Sequence, residues 1–198
     1  VSHGWTIVDY YRRKKLAYHP VRRAFAPIGV VVAEHEGEVV VFGVNDSPTE
    51  AQATLRYGYF ATTGGLPVDQ TLEVKLPTNQ SVPLAKLDRA QWDQLGPKSH
   101  GAFATLESGG MTLAQHKLLI ERFKDLAWAK PDIKAERRGT VAVFSSDVFA
   151  WGVTLDLDGE SAVPDNAFDL IPGVPYTIEW PECLPAPKVL RCGNELLM

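Results

Sequence analysis

Cysteine is scarce in this sequence, with two residues among 198. Cys183 and Cys192 are too few for a disulfide framework, and neither lies in a Cys-x-x-Cys or Cys/His spacing typical of zinc sites. The two residues therefore indicate no metal site. They leave open whether the thiols pair and in which compartment the protein works.

Long apolar runs and a strong net charge are also missing. No stretch is long enough to span a bilayer, and no basic segment followed by an apolar one opens the chain. A formal net charge of −4 gives no general attraction to phosphate backbones. We therefore expect a soluble chain that binds neither membranes nor nucleic acids. Because it begins at Val1, we expect any export signal to lie upstream, and the localisation stays unknown.

Sequence motifs for catalysis and for cofactor binding are absent. The histidines show no metal-binding spacing, and no Gly-x-Ser-x-Gly, P-loop or Gly-x-Gly-x-x-Gly occurs. Four acidic residues, Asp156, Asp158, Glu160 and Asp165, offer the oxygen ligands that calcium prefers, but they lack the EF-hand order. We interpret them as a solvated loop. The sequence predicts no catalytic, cofactor-binding or metal-ligating residue.

Short β-branched and aromatic runs bounded by turn residues fill most of the chain. Seven lie between residues 28 and 122: IGVVVAE, EVVVFGVND, QATLRYGYFAT, TLEVKL, SVPLAKL, AFATLES and TLAQHKLLIER. After the linker KDLAWAKPDIK come five more: IKAERRG, TVAVFSSD, VFAWGVTLDLDG, PYTIEWP and KVLRC. This spacing predicts two β-sandwiches. Between the later runs, DNAFDLIPG reads as two turns.

The N-terminal segment differs from the rest, since it is basic, aromatic and helix-like. We expect a turn around 6–11 and a helix over about 16–26, with Pro20 in its first turn and Pro27 ending it. The arginines and lysines between residues 12 and 23 are interpreted as a solvated helix face or domain rim.

Several segments resemble β-mannosidases of the second glycoside hydrolase family. GWTIVDYYRRKKLAYHPVRRAFAP is similar to the end of their catalytic barrel, and VVVFGVNDSP to the opening strands of the next domain. KPDIKAE, SSDVFAWGVTLDLDG and DNAFDLIPG resemble the linker and final immunoglobulin-like domain. DNAFDLIPG is the most specific of these, because turn chemistry alone would accept many other sequences.

The resemblance implies an all-β chain with immunoglobulin-like sandwiches at 27–125 and 126–198. Residues 1–26 would be a helical remnant of a (β/α)₈ barrel. The family's retaining hydrolysis of β-mannosides uses two glutamates, which would lie upstream of Val1 together with the sugar pocket. The chain would thus be an accessory, non-catalytic part of a periplasmic, secreted or lysosomal glycoside hydrolase. A galactosidase, glucuronidase or glucosaminidase parent stays open.

Aromatic residues supply the candidate contact sites. Five in the N-terminal segment are expected to dock on the absent barrel: Trp5, Tyr10, Tyr11, Tyr18 and Phe25. Among the remaining tryptophans, Trp128 is expected to wedge the domains together. Trp151 is expected to pack in a core or between domains. Trp92, in the polar stretch DRAQWDQLG, is the candidate for an exposed sugar contact.

The sequence is compatible with three functions. The first is a pair of accessory domains that brace a glycoside hydrolase barrel, which the resemblance favours. The second is a carbohydrate-binding module that binds sugar weakly through a face including Trp92. The third is a fibronectin-like module that binds a protein partner. Sandwich folds host all three, so the fold alone does not separate them.

Overall fold

The computed structural model describes residues 6–197. A short N-terminal segment containing helix α1 (Tyr18–Ala24) precedes two β-sandwiches, which confirms the predicted all-β fold class. Helix α1 is shorter than expected but holds Pro20 in its first turn, where a missing N–H costs no hydrogen bond. Among the described residues, no helix combines the length and apolar character needed to cross a membrane.

The first sandwich has seven antiparallel strands in two sheets. Their bounds are β1 Ile28–His35, β2 Glu38–Asn45, β3 Ala51–Ala61, β4 Val68–Leu76, β5 Gln80–Leu87, β6 His100–Ser108 and β7 Met111–Leu118. The sheets have the orders β1-β2-β5 and β4-β3-β6-β7. Each of the seven predicted runs contains one strand. The β1–β2 hairpin turns through Glu36 and Gly37, both with positive φ (51° and 80°), as a two-residue hairpin requires.

The core of the first sandwich lies between its sheets and is closed at one end by helix α2 (Arg89–Leu95). The Asp88 carboxylate caps α2 by accepting a hydrogen bond from the backbone N–H of Ala90 at 2.9 Å. From the middle of α2, Trp92 inserts fully into the core beside Tyr59, with ring centroids 5.4 Å apart. The sequence analysis did not predict α2, because seven residues with one fully buried side chain show no clear helical period.

The second sandwich is smaller, with five short strands. Their bounds are β8 Ile133–Arg138, β9 Val141–Ser146, β10 Ala150–Val153, β11 Phe168–Leu170 and β12 Tyr176–Glu179. One sheet has the order β12-β9-β8, and β10 pairs with β11. Its core stacks the aromatic rings of Phe144, Phe168 and Tyr176 at centroid distances of 4.9 and 4.6 Å.

Two predictions for this domain were wrong. The run KVLRC forms no strand, and Arg191 makes only an isolated bridge to Thr154. In the other direction, DNAFDLIPG contains strand β11 where turns alone were expected. Three residues of strand are too few for an alternation pattern to reveal.

The two sandwiches share an apolar cluster. Phe60 and Phe103 of the first domain pack against Phe149, Ile171 and Val174 of the second, all fully buried. The backbone N–H of Phe149 also donates to the carbonyl of Thr62 at 3.1 Å. The junction between the domains therefore has a fully buried apolar centre.

Trp128 and Trp151 pack against this interdomain cluster as partly buried residues, as predicted. Trp128 lies in the linker with its ring 5.9 Å from that of Phe149 and 6.4 Å from that of Trp151. Its indole N–H donates to the carbonyl of Phe123 at 2.6 Å. Trp128 is thus held at both its apolar face and its polar edge.

Candidate functional site

The N-terminal segment forms a tight loop with two tyrosines at its tip. An antiparallel bridge joins Val8 to Lys14, and the Asp9 carboxylate accepts from the Arg13 side chain at 2.6 Å and from its backbone N–H at 2.9 Å. Tyr10 is 92% exposed and Tyr11 73%, with ring centroids 5.4 Å apart. The loop therefore presents a pair of large rings to solvent.

A third exposed aromatic side chain lies at the end of helix α1. Phe25, directly after the helix, is 85% exposed. Tyr18 is half-buried, because Lys14 Nζ lies 5.0 Å from its ring centroid and the ring of His19 packs edge-on against it. Trp5 lies outside the described residues. The docking role predicted for these aromatics stays a prediction, and we call Tyr10, Tyr11 and Phe25 together the aromatic face.

Helix α1 is fixed to the second sandwich through Asp165. This carboxylate, whose side chain is 3% exposed, accepts from Arg23 Nη1 at 2.6 Å, while Arg22 Nη2 lies 3.4 Å away. His19 Nδ1 lies 3.6 Å from the same oxygen. The other oxygen accepts from the Tyr176 hydroxyl at 2.7 Å. We call this group of five side chains the Asp165 cluster.

Arg23 completes the connection with two further hydrogen bonds. Its Nη1 donates to the backbone carbonyl of Asn166 at 3.0 Å, and its Nη2 donates to that of Ala167 at 2.7 Å. A planar guanidinium that meets a buried carboxylate and two carbonyls has a fixed orientation. The interpretation of the basic residues as a solvated face is therefore wrong for Arg23.

The pKa values of the Asp165 cluster reflect this arrangement. Burial pushes the pKa of Asp165 upward, but the neighbouring His19, the charge of Arg23 and the Tyr176 hydroxyl outweigh it and hold the pKa below its ordinary value. Burial and the negative Asp165 raise the pKa of Tyr176. Asp165 is thus an anion that accepts, and Tyr176 a neutral hydroxyl that donates.

The acidic loop supports the N-terminal segment at a second point. Asp156 folds the loop by accepting from the backbone N–H groups of Asp158, Gly159 and Ser161 at 2.7 to 3.1 Å. Gly159 adopts φ +70°, and a Cβ there would lie 2.5 Å from the carbonyl oxygen of Lys14. Only glycine allows this approach.

Three of the four acidic residues considered for calcium serve different partners, and the fourth, Asp158, donates its backbone N–H to Asp156. Asp156 folds its own loop, Glu160 lies 3.3 Å from Arg13, and Asp165 faces Arg23. Across residues 6–197, no group of three or more acidic, histidine or cysteine side chains is arranged to hold a metal ion. In the same range both cysteines are free thiols, Cys183 exposed and Cys192 buried.

In the structure, the side chains of DNAFDLIPG make contacts that a turn alone would not require. Asp165 holds Arg23, and the side chain of Asn166 accepts from Leu155 N and donates to the Asp156 carbonyl. Asp169 forms an ion pair with Lys117 of the first sandwich and accepts from Gly152 N at 2.8 Å. The segment therefore joins the N-terminal segment to both sandwiches.

The prediction for Trp92 was wrong. Its side chain is fully buried, and its indole N–H donates to the carbonyl of His100 at 2.9 Å. The polar residues beside it in the sequence occupy the outer surface of α2, so they indicated exposure only for themselves. Trp92 offers no face on which a sugar could stack.

Two family models match the chain consecutively. The mannosidase Ig/CBM-like domain covers residues 37–125, and the Ig-fold domain of the mannosidase type covers residues 128–182. No curated protein matches the sequence. The first range contains β2 to β7 and the second contains β8 to β12.

Solved structures show the same architecture. A β-D-mannosidase from Dictyoglomus thermophilum is similar over 92% of this chain, with a TM-score of 0.76 and 22% identity. An exo-chitosanase from Amycolatopsis orientalis is similar over 87%, with a TM-score of 0.55 and 16% identity. The chain spans 23% and 25% of the length of these two proteins. By the two family models the chain belongs to the immunoglobulin-like domains of the mannosidase type, and the solved structures show the same fold.

Proposed function

We propose that this chain braces the catalytic barrel of a β-mannosidase-like enzyme and carries no catalytic residue of its own. The observation that carries the proposal is the aromatic face: Tyr10, Tyr11 and Phe25 are the most exposed large apolar side chains among the described residues. Exposed aromatic groups of this size mark contact surfaces, because each ring removes a large area from water when it is covered.

The aromatic face is held by the second sandwich as well as by its own segment. Arg23 and Asp165 fix helix α1, and Gly159 allows the acidic loop to touch Lys14. The apolar cluster between the sandwiches fixes the second domain to the first. A barrel docked on the aromatic face would therefore be supported by both sandwiches at once, at a low cost in conformational entropy.

The parent activity that we propose is retaining hydrolysis of a β-mannoside, by two glutamates of the barrel domain. The resemblance to β-mannosidases and the D. thermophilum structure support the mannoside. The A. orientalis structure is named an exo-chitosanase, so a β-glucosaminide is the alternative substrate to assay.

The experiment compares the parent polypeptide with this chain expressed alone. A triple variant, Tyr10→Ser, Tyr11→Ser and Phe25→Ser, removes the aromatic face, and Leu72→Ser, a half-exposed residue on β4, serves as the control. Buried aromatics at an interface contribute about 2 kcal/mol each, so the triple variant should lower the melting temperature of the parent by several degrees.

In the isolated chain the same three substitutions should leave the melting temperature nearly unchanged, since the rings face solvent there. The Leu72 variant should lower the melting temperature of both proteins to the same small extent. Hydrolysis of p-nitrophenyl β-D-mannoside should require the parent polypeptide. A parent whose stability is insensitive to the triple variant would contradict the bracing role, and hydrolysis by the isolated chain would contradict the non-catalytic one.

A further inference from the structure

A groove with a volume of about 580 Å³ lies where the two sandwiches meet, on a surface separate from the aromatic face. One wall of the groove is formed by Arg56 on β3 and Glu107 on β6. Its floor is the outward face of the sheet β12-β9-β8. The volume falls within the range of small-molecule sites, which occur preferentially at domain junctions.

Contacts between the sandwiches hold the groove open in one shape. The backbone N–H of Thr177 donates to Thr112 Oγ1 across the junction at 3.0 Å. Arg56 Nη1 lies 3.4 Å from the carbonyl of Gly173, and its Nε and Nη2 each donate to the Asp69 carboxylate at 2.8 Å. The guanidinium plane of Arg56 is therefore fixed before any ligand arrives.

On the floor of the groove, apolar side chains of β9 lie directly opposite charged side chains of β8 in the sheet. Val143 lies opposite Glu136 and Val141 opposite Arg138 in the β8–β9 pairing, and Thr177 lies opposite Val143 on the other side. The two valines are half-buried and form an apolar strip. Charged and hydroxyl groups border this strip on both sides.

The charges of the groove balance. Two arginines, Arg56 and Arg138, accompany two glutamates, Glu107 and Glu136, so the lining carries no net charge. This balance gives no long-range attraction for a phosphate or a polyanion. Planar guanidinium and carboxylate groups instead form paired hydrogen bonds with neutral groups such as adjacent hydroxyls.

We propose that this groove binds a neutral oligosaccharide. A pyranose ring has an apolar C–H face, which suits the valine strip, and hydroxyls around its edge, which suit the arginines and glutamates. The site lies apart from Trp92 and needs no stacked aromatic ring, so we expect weak binding. Only the choice of mannooligosaccharides as the first probe rests on the proposed function.

The test is a titration of the full chain with mannotetraose, cellotetraose and chitotetraose, followed by amide chemical shifts in NMR. Dissociation constants of about 1 mM are expected, so the series should run from about 0.1 to about 20 mM. Shifts should be confined to β3, the β6–β7 turn, β8, β9 and β12. Binding of any one of the three sugars at these positions supports the proposal.

Two arginines provide matched variants. Arg138, in the groove, is 65% exposed and paired with Glu136, while Arg122, between β7 and the linker, is 74% exposed and paired with Asp125. Arg138→Ala should weaken binding about tenfold, the effect of one charge-assisted hydrogen bond, and Arg122→Ala should not change it. Both side chains lie on the surface, so both variants should fold.

Three results would overturn the proposal: no shifts with any sugar at the highest concentration, shifts centred outside the groove, or equal effects of the two arginine variants. Because the titration uses the chain without a barrel, none of these results bears on whether the aromatic face braces the parent enzyme. Conversely, a parent enzyme whose stability does not depend on the aromatic face would contradict the bracing role, but the result expected from the sugar titration would stay the same.

Discussion

Replacing Asp165 by asparagine removes the charge on which the attachment of helix α1 depends. The carboxylate receives hydrogen bonds from Arg23, Tyr176 and the backbone N–H of Asn166 at 2.6, 2.7 and 2.8 Å. Asparagine has nearly the same shape, but its amide group is a donor. At least one of these three donors would therefore lose its acceptor: the Tyr176 hydroxyl if the amide nitrogen replaces Oδ2, or Arg23 and Asn166 N if it replaces Oδ1.

The magnitude follows from burial. Breaking a fully buried charge pair costs about 3–5 kcal/mol. Because Arg23 is 29% exposed and regains water when released, we expect a loss of about 2–3 kcal/mol for Asp165→Asn. For a chain of this length, that corresponds to a fall in melting temperature of about 4–12 °C.

The pH dependence provides a second check. The folded-state pKa of Asp165 is depressed, so its contribution to stability is present above the ordinary carboxyl pKa of 3.8 and is lost as the pH falls through the folded value. The wild type should therefore exceed the variant in stability at pH 7, and the difference should shrink in acid. Calorimetric melts at pH 7 and at about pH 3 measure both quantities.

Asp69→Asn is the matched control, since Asp69 also pairs with an arginine but lies on the first sandwich and is much more exposed. It should cost less than about 1 kcal/mol. Hydrogen exchange in α1 should accelerate in the Asp165 variant and not in the control. Unchanged exchange in α1, or a stability difference that persists undiminished in acid, would refute the role assigned to Asp165.

Two further predictions concern the first sandwich. Trp92→Ala should destabilise the chain by about 3–5 kcal/mol in urea unfolding, because the side chain is fully buried; a loss below about 1 kcal/mol would contradict this burial. Burial raises the pKa of Tyr59 to about 12 from an ordinary 10.0. The hydroxyl therefore loses its proton at a higher pH in the folded state than in the unfolded state, so the free energy of unfolding should fall as the pH rises from 10.0 to about 12. Tyr59→Phe should reduce this fall. An equal fall in the wild type and the variant would contradict the burial of the Tyr59 hydroxyl.

The strands of the first sandwich were predictable because each alternates or clusters apolar residues over at least six positions. Glu36-Gly37 and Gly109-Gly110, all with positive φ, marked hairpin turns in the same way. This signal is local, so it survives without any knowledge of the tertiary structure. It weakens in the second sandwich, where β11 has three residues.

The candidate site was only half predictable. Composition identified the aromatic residues of the N-terminal segment, but it did not reveal that Arg23 reaches Asp165, 142 positions later. A basic cluster and an acidic loop in one chain were the available signal, and solvation explained each of them equally well. The prediction that Trp92 is exposed was wrong for a related reason, since its neighbours in the sequence face the solvent while Trp92 faces the core.

The apolar cluster between the sandwiches couples the stability of one domain to the other. Each domain has a core of its own, but separation would expose Phe60 and Phe103 on one side and Phe149, Ile171 and Val174 on the other. Cleavage of the linker at Lys124 or Lys130 would therefore leave the two halves associated. If one sandwich were exchanged for that of another enzyme, the new domain would need apolar residues that pack against the remaining half of this cluster.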